Sequence, residues 1–455
     1  VPFKKGPDYI DPAWHALAAG SPSHNLDPFL MAGDQIVALV SRHSQAADAL
    51  LIEGNRGLFD GLDAQGTYST AELAKLLMVP VVLVVDCSMT TRTAAALVLG
   101  CQHFDPQVNL AGVILNQVAR PRHEDILRST IEHYCQVPVL GAVPRLKCAV
   151  FPERHMGLVP PPEHRAAVRA VQAAQDLAER YLDLARLWEV ASQAPPLPVT
   201  TRALYPSAEP YPQVRIGVLQ DAAFQFYYPE NLEALTQAGA RLIFLNALTD
   251  PELPPDLDAL YLGGGFPETN ASALAHNEGF RVSVRQAAEQ GLPMYAECGG
   301  LMYLGRTIQT LQGDSYPMVG LLPYDFLMGQ SPQGHGYTVL EVDGDNPYFP
   351  KGTRLKGHEF HYSRLQPEPG PEAKLAFRMT RGAGISDHRD GFVYKNVLAT
   401  YTHLHALGAP DWGPALVRQA REHQRRRLTA GNLESFTSSD HAEAPTGKAR
   451  RRVIG

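Results

Sequence analysis

Short apolar runs alternate with amphipathic stretches through the first half of the chain. Residues 49–53 (ALLIE), 80–86 (PVVLVVD), 111–116 (AGVILN) and 137–143 (VPVLGAV) are apolar, largely β-branched and of buried-strand length. Helical periodicity falls between them near 29–43, 70–77, 90–101 and 122–135, and a long helical stretch covers 163–190. Strands alternating with helices predict βαβ units and a mainly parallel sheet covered on both faces. In such sheets ligands sit beyond the C-terminal strand ends, where Glu53, Asp86 and Asn116 all fall.

The rhythm stops at 192–213 (SQAPPLPVTTRALYPSAEPYPQ), a Pro- and Ser-rich stretch without apolar period that reads as a linker. It resumes at Val214 with VRIGVL, a helix around 229–238, then ARLIFLN, LDALYLGGG and LPMYAECGG. The predicted architecture is therefore two doubly wound α/β domains, 1–191 and 214–425. Residues 426–455 turn polar and are expected to be disordered.

Composition narrows the class. Of 455 residues, 45% are hydrophobic and 19% charged, as in ordinary globular proteins. A net charge of −7 gives no reason to expect a nucleic-acid partner, and the runs Arg425–Arg427 and Arg450–Arg452 read as solvated tail. No apolar stretch reaches the roughly 20 residues of a membrane span, and the start does not read as a signal peptide. Five cysteines without a C-x-x-C argue against a disulfide framework or structural zinc, and fit a cytoplasmic protein with mostly buried thiols.

Cys298 is different. The run PMYAECGGL (293–301) is a strand, a residue squeezed into a tight turn, and a helix start, the layout of a nucleophile elbow. A helix N-terminus at the sulphur is expected to lower the thiol pKa from about 8.5. Upstream, LGGGFPE (262–268) follows a strand, so the N–H groups of Gly264, Gly265 and Gly299 are candidates for an oxyanion hole. The base must come from VLATYTHLH (397–405). On a strand, His403 and His405 share a face, and either could reach Cys298.

These segments resemble the class I glutamine amidotransferases, especially the branch fused to cobalamin-pathway synthetases. There the counterpart of YLGGGFPE forms the oxyanion loop, that of AECGGLMYL holds the nucleophile, and a Tyr-x-His supplies the base, which maps to His403. Many class I domains carry a Glu two residues after that His. Here the position is His405, which leaves a Cys–His dyad. The segment GHEFHYS (357–363) has His residues three apart, whereas a zinc-protease helix needs four, and its aromatic neighbours suit a strand. By resemblance it shapes the glutaminase domain or its junction.

In the first half, PFKKGPDYIDP (2–12) sets two carboxylates among Gly and Pro, and EGNRGLFDG (53–61) adds two more after a strand. Such loops suit a Mg²⁺–ATP site, because Mg²⁺ takes a few carboxylates plus phosphate oxygens. With LNQV at 115–118 and PERHMGL at 152–158, they resemble the synthetase half of cobyrinic and hydrogenobyrinic acid a,c-diamide synthases, whose fold is like that of dethiobiotin synthetase. The resemblance runs from Val1 to about Ala420. It implies that Asp8, Tyr9, Asp11, Glu53 and Asp60 handle Mg²⁺–ATP and the substrate carboxylate, with Glu53 and Asp60 nearest the metal. Asn116 would meet the adenine. The implied reaction is ATP-dependent amidation of the a and c carboxylates through an acyl phosphate, with ammonia drawn from glutamine. Its partners are small molecules (a corrinoid acid, glutamine and ATP); the sequence leaves a homodimer open.

The family places a glycine-rich phosphate loop before GPDYIDP. This chain opens at Val1, and no G-x-x-x-x-G-K-[ST] occurs in it, so a truncated start is expected. That departure keeps a glutaminase-only protein and a non-catalytic interaction protein in view, beside a nickel-sirohydrochlorin substrate.

Overall fold

The computed structural model describes residues 1–439 except 46, 147–150, 152, 155–156, 165, 199, 207–212 and 371, without the side chains of 153–154 and 430–439. Cys148, part of the PERHMGL motif, part of the linker and residues 440–455 lie outside the described residues. Among the described residues, no helix is long and apolar enough to cross a membrane.

Both halves are α/β. In the first, the four predicted strands and two unpredicted ones, Pro2–Lys5 (read from the sequence as loop) and His24–Leu26, form two three-stranded parallel sheets. One has the order His24–Leu26, Pro2–Lys5, Leu51–Glu53, and the other Val81–Asp86, Leu110–Val118, Val139–Pro144. Leu51–Glu53 and Val81–Asp86 are edge strands, and Leu51 and Val84 are 75% and 61% exposed. Runs expected to be buried on both faces are therefore only half covered. Helices Gly33–Ser44, Thr70–Leu77, Arg92–Phe104 and Pro121–Cys135 form where periodicity predicts them. Ile36, Val37, Leu39 and Val40 bury one stripe of the first, and the Ser69 hydroxyl caps the second by accepting from Glu72 N.

The predicted long helix 163–190 is broken into Ala167–Tyr181 and Leu184–Ser192. Asp183 N donates to Leu140 O while its carboxylate accepts from Arg186 N, ending one helix and starting the next.

The second half is built on a ten-stranded sheet. Ala240–Leu245, Val214–Leu219, Ala259–Leu262, Met294–Glu297 and Val397–Thr400 are parallel and adjacent in that order. The sheet continues antiparallel through Arg389–Tyr394, Leu375–Arg381, Gly334–Val342 and Arg354–His361 to His403–Leu404. Three residues after its central strand ends, the chain thus pairs with the strand at the far end, so the sheet curls over its own middle.

Residues 426–439 belong to the tail expected to be disordered. Helix Trp412–Ser439 runs through them, anchored by Trp412 against Tyr261 and Tyr295. Gln424 and Arg427 donate to Asp258, which is fully buried. A buried carboxylate needs a partner, and Arg427 of the expected solvated run supplies it.

Candidate active site

Glu297 and Thr400 face each other at the ends of adjacent parallel strands. The residues that follow them, Cys298 and 401–403, therefore meet on one side of the sheet. Cys298 N donates to Thr400 O at 2.7 Å and its carbonyl accepts from Met302 N. That holds Cys298 at φ +48°, a strained backbone for a residue with a Cβ, costing about 1–3 kcal/mol. The opposite loop is fixed by Asp390, fully buried, whose carboxylate accepts from Thr400 Oγ1, Tyr401 N and Thr402 N.

His403 is 3% exposed. Its ring stacks on His358 at 4.9 Å and 18°, and burial with the nearby His403 and His405 keeps His358 neutral, well below the usual imidazole range. A Cβ on Gly264 would lie 2.5 Å from His403 Cε1, and one on Gly299 would lie 3.0 Å from Gly265 N. Gly264 thus packs against the His403 ring and Gly299 against the backbone of Gly265, where a side chain has no room.

The sulphur is 4.0 Å from the Phe360 carbonyl. Its pKa is not lowered as the sequence led one to expect. Burial and the charge of Glu268 push the thiol well above its ordinary range, and the Gly299 N–H only partly offsets them. Helix Gly299–Leu304 has six residues, too short to overcome the loss of solvent. To act as a nucleophile, Cys298 would have to hand its proton to a base.

His405 does not share that face, because the strand ends at Leu404 and the chain turns, Gly408 N donating to His405 O. Its Nδ1 accepts from Leu407 N, so the proton sits on Nε2, 3.4 Å from Glu230 Oε2. The other Glu230 oxygen is 2.7 Å from His24 Nδ1. Burial pushes the Glu230 carboxyl up, but these two histidines hold it down to about 2. His405 thus backs Glu230 within the second half, while His24 carries this buried cluster across to the first.

GHEFHYS supports the site from the strand Arg354–His361. His358 faces His403 in register, His361 stacks on Tyr401 at 3.6 Å, and Glu359 accepts from Ala383 N and Gly384 N.

The first half reaches the same place through Tyr9. Its ring stacks on Phe226 at 5.0 Å and lies 5.3 Å from the His403 ring. Asn25 holds the loop by donating to the carbonyls of Gly6 and Asp8. Beyond Tyr9, the buried Lys4 ammonium gathers Asp11 at 2.7 Å, Glu53 at 3.0 Å and Asp8 at 3.8 Å. Glu53 also meets His15 Nε2 at 2.9 Å. Asp8 caps the helix Ile10–Ala19 through Ile10 N and Asp11 N. Burial and the Asp11 charge push its carboxyl up to about 6, against the pull of Lys4.

Asp60 stands apart. It accepts from Gly57 N in its own loop and lines a cavity of about 540 Å³ with Arg56, Glu72 and Asp105. Asn116 lies two residues before the end of the strand Leu110–Val118 in the other sheet, opposite Asp86, and accepts from Gln117 N. The structure thus gathers Asp8, Asp11 and Glu53 around Lys4 and places Asp60 and Asn116 elsewhere.

Residues 215–410 match the family described as a CobB/CobQ-like glutamine amidotransferase domain, and residues 17–152 match an AAA domain. Curated relatives match across both. A cobyrinate a,c-diamide synthase of Magnetococcus marinus is 44% identical, covering 92% of this chain and 90% of its own. One of Archaeoglobus fulgidus is 42% identical, covering 92% and 90%. A third, of Dehalococcoides mccartyi, is 40% identical, covering 92% and 91%. The chain belongs to the cobyrinate a,c-diamide synthase family.

Three functional candidates escaped the sequence reading of this family member. Glu297 was passed over as the residue before the nucleophile, although its carboxylate is 3.8 Å from His403 Nδ1. Asp390 acts through tertiary contacts that no local pattern announces, and His358 was seen only as part of GHEFHYS, without its place against His403. Glu297 carried a signal of its own, because a charged residue inside an apolar strand needs a partner.

Proposed function

We propose that the chain is an ATP- and glutamine-dependent amidating ligase that converts the a and c carboxylates of cobyrinic or hydrogenobyrinic acid to amides. The observation that carries this is the match to curated cobyrinate a,c-diamide synthases across both halves. The contact of Tyr9 with His403 supports it, since it joins the acid-lined loop to the cysteine site.

In this reading His403 accepts the Cys298 proton as the sulphur attacks the glutamine carboxamide carbon. The oxygen gathers negative charge, which the N–H of Gly299 and those of the Gly264–Gly265 segment stabilise. His403 returns the proton to the leaving nitrogen, ammonia departs, and water hydrolyses the Cys298 thioester to glutamate. In the other half, the corrinoid carboxylate takes the γ-phosphoryl group of ATP, and ammonia displaces phosphate to leave the amide. ATP arrives with Mg²⁺. Glu53 is committed to Lys4 and His15 and Asp60 to Gly57, so these side chains do not present an open cation site, and no step is routed through the metal. Water-soluble substrates suit a cytoplasmic setting.

The test is incubation with glutamine, Mg²⁺–ATP and cobyrinic acid, or its cobalt-free counterpart, followed by mass analysis of the macrocycle. A diamide is the expected product. Glutamate release with an unmodified macrocycle of either kind would leave a glutaminase and overturn the ligase reading.

A further inference from the structure

The buried imidazole of His403 has an orphan. Its Nδ1 has no hydrogen-bond partner among the described residues, although the ring is 3% exposed. A buried polar nitrogen without a partner is costly and calls for an explanation. The nearest carboxylate oxygen recorded for it is Glu297 Oε2 at 3.8 Å, about 1 Å beyond a charge-assisted hydrogen bond.

Glu297 is placed to close that gap. It is 1% exposed. One oxygen accepts from Leu404 N at 3.0 Å and the other from Tyr261 OH at 3.0 Å. Leu404 directly follows the base and Cys298 directly follows Glu297, so one carboxylate is tied to the backbone beside both reacting residues. The ring's other side fits. Its Cε1 and Nε2 are the atoms nearest the place a Gly264 Cβ would take, at 2.5 and 3.4 Å, so that edge faces the glycine loop. A proton held on Nδ1 by Glu297 leaves Nε2 free to act as base on that edge.

We infer that Glu297 is the positioning carboxylate of the glutaminase, fixing the Nδ1–H tautomer of His403 and stabilising the imidazolium formed when Cys298 gives up its proton. It fills from the nucleophile strand the role left open by His405, which is spent on Glu230. The titratable groups facing this pair include His358 and Tyr9 on the imidazole side, and Tyr227, Tyr228, Tyr261, Tyr295 and Cys298 on the carboxylate side. None of these is a carboxylate, so within this group the counter-charge to His403 falls to Glu297.

The inference rests on the glutaminase part of the proposed function, so the experiment starts from glutamate release by the wild type and its loss in Cys298→Ser. If the wild type releases no glutamate, that reading fails by itself. Given a working glutaminase, Glu297→Gln keeps the volume and an acceptor oxygen but removes the charge. Its kcat should fall roughly 10²-fold with KM for glutamine within about twofold, and the acid limb of its pH profile should move to lower pH. Glu297→Asp should recover part of the rate. Thermal melting and ammonia-supported amidation should match the wild type. Unchanged kcat and pH profile in a folded Glu297→Gln would overturn the assignment. So would equal loss of glutamine- and ammonia-supported activity, which marks a structural residue.

Discussion

The cysteine site and the Lys4 cluster are neighbours built on opposite electrostatic plans. Around Cys298 the groups are buried and partly unsatisfied: the thiol is protonated, His403 Nδ1 is unpaired, and the backbone at Cys298 is strained. Around Lys4 a buried ammonium is shared by three partly exposed carboxylates, so the charges are mutually satisfied. A centre that moves a proton gains from groups already desolvated and aimed at each other. A centre that receives charged ligands does better with counter-charges that a ligand can exchange. Tyr9 lies between the two, with its acid neighbours on one side and His403 under its ring.

That contrast can be broken most severely at the sulphur. Cys298→Ser should lower glutamine-supported amidation on the order of 10⁴-fold or more while sparing the ammonia-supported reaction, measured by product formation with each nitrogen donor. Retained glutamine use would move the nucleophile elsewhere.

Next comes the pair of histidines. His403→Ala should cost on the order of 10³-fold in glutaminase rate, whereas His405→Ala should cost stability instead. It leaves Glu230 buried with one partner fewer, worth about 3 kcal/mol in chemical denaturation. A reversed order of glutaminase rates would return the base to His405.

Tyr9→Ala is the link between the regions. It changes no residue of the amidotransferase half but removes a ring packed on Phe226 and His403, and should lower glutaminase kcat roughly tenfold by loosening the imidazole. Wild-type glutaminase rates in a folded Tyr9→Ala would separate the two sites.

The smallest effect belongs to Asp8. Its folded pKa of about 6 lies above the unfolded value, so the native state keeps a proton the unfolded chain has lost. Stability therefore falls as pH rises from about 4 to 6 and then levels. Asp8→Asn lacks that slope, and its melting temperature relative to wild type should climb across the same window. A flat difference would place Asp8 among ordinary surface carboxylates.

Much of this was legible before any coordinates. Strand–helix alternation is a local pattern, and the helices Thr70–Leu77 and Pro121–Cys135 fall where it predicts them. The elbow and glycine loop were readable because a strand–Cys–Gly–Gly turn leaves few conformations open, and Cys298 at φ +48° is one of them. The fate of the second acidic loop was not. Glu53 ends a strand and Asp60 lies seven residues on in the loop after it, yet Asp60 turns back on Gly57 while Glu53 crosses to Lys4 and His15. The tail, too, depends on a distant partner. Composition marks 426–439 as polar, but Arg427 extends the helix because Asp258 waits in the core.

By itself, then, the sequence determined two α/β halves, the candidate nucleophile, the glycine loop and the synthase resemblance, because each follows from residues close together in the chain. The resemblance already pointed to His403 over His405, and tertiary structure alone decided what each histidine touches and which carboxylate faces His403. Those roles depend on where adjacent strands end and how the sheet curls, and the turn after Leu404 sends His405 to Glu230 and leaves His403 beside Glu297.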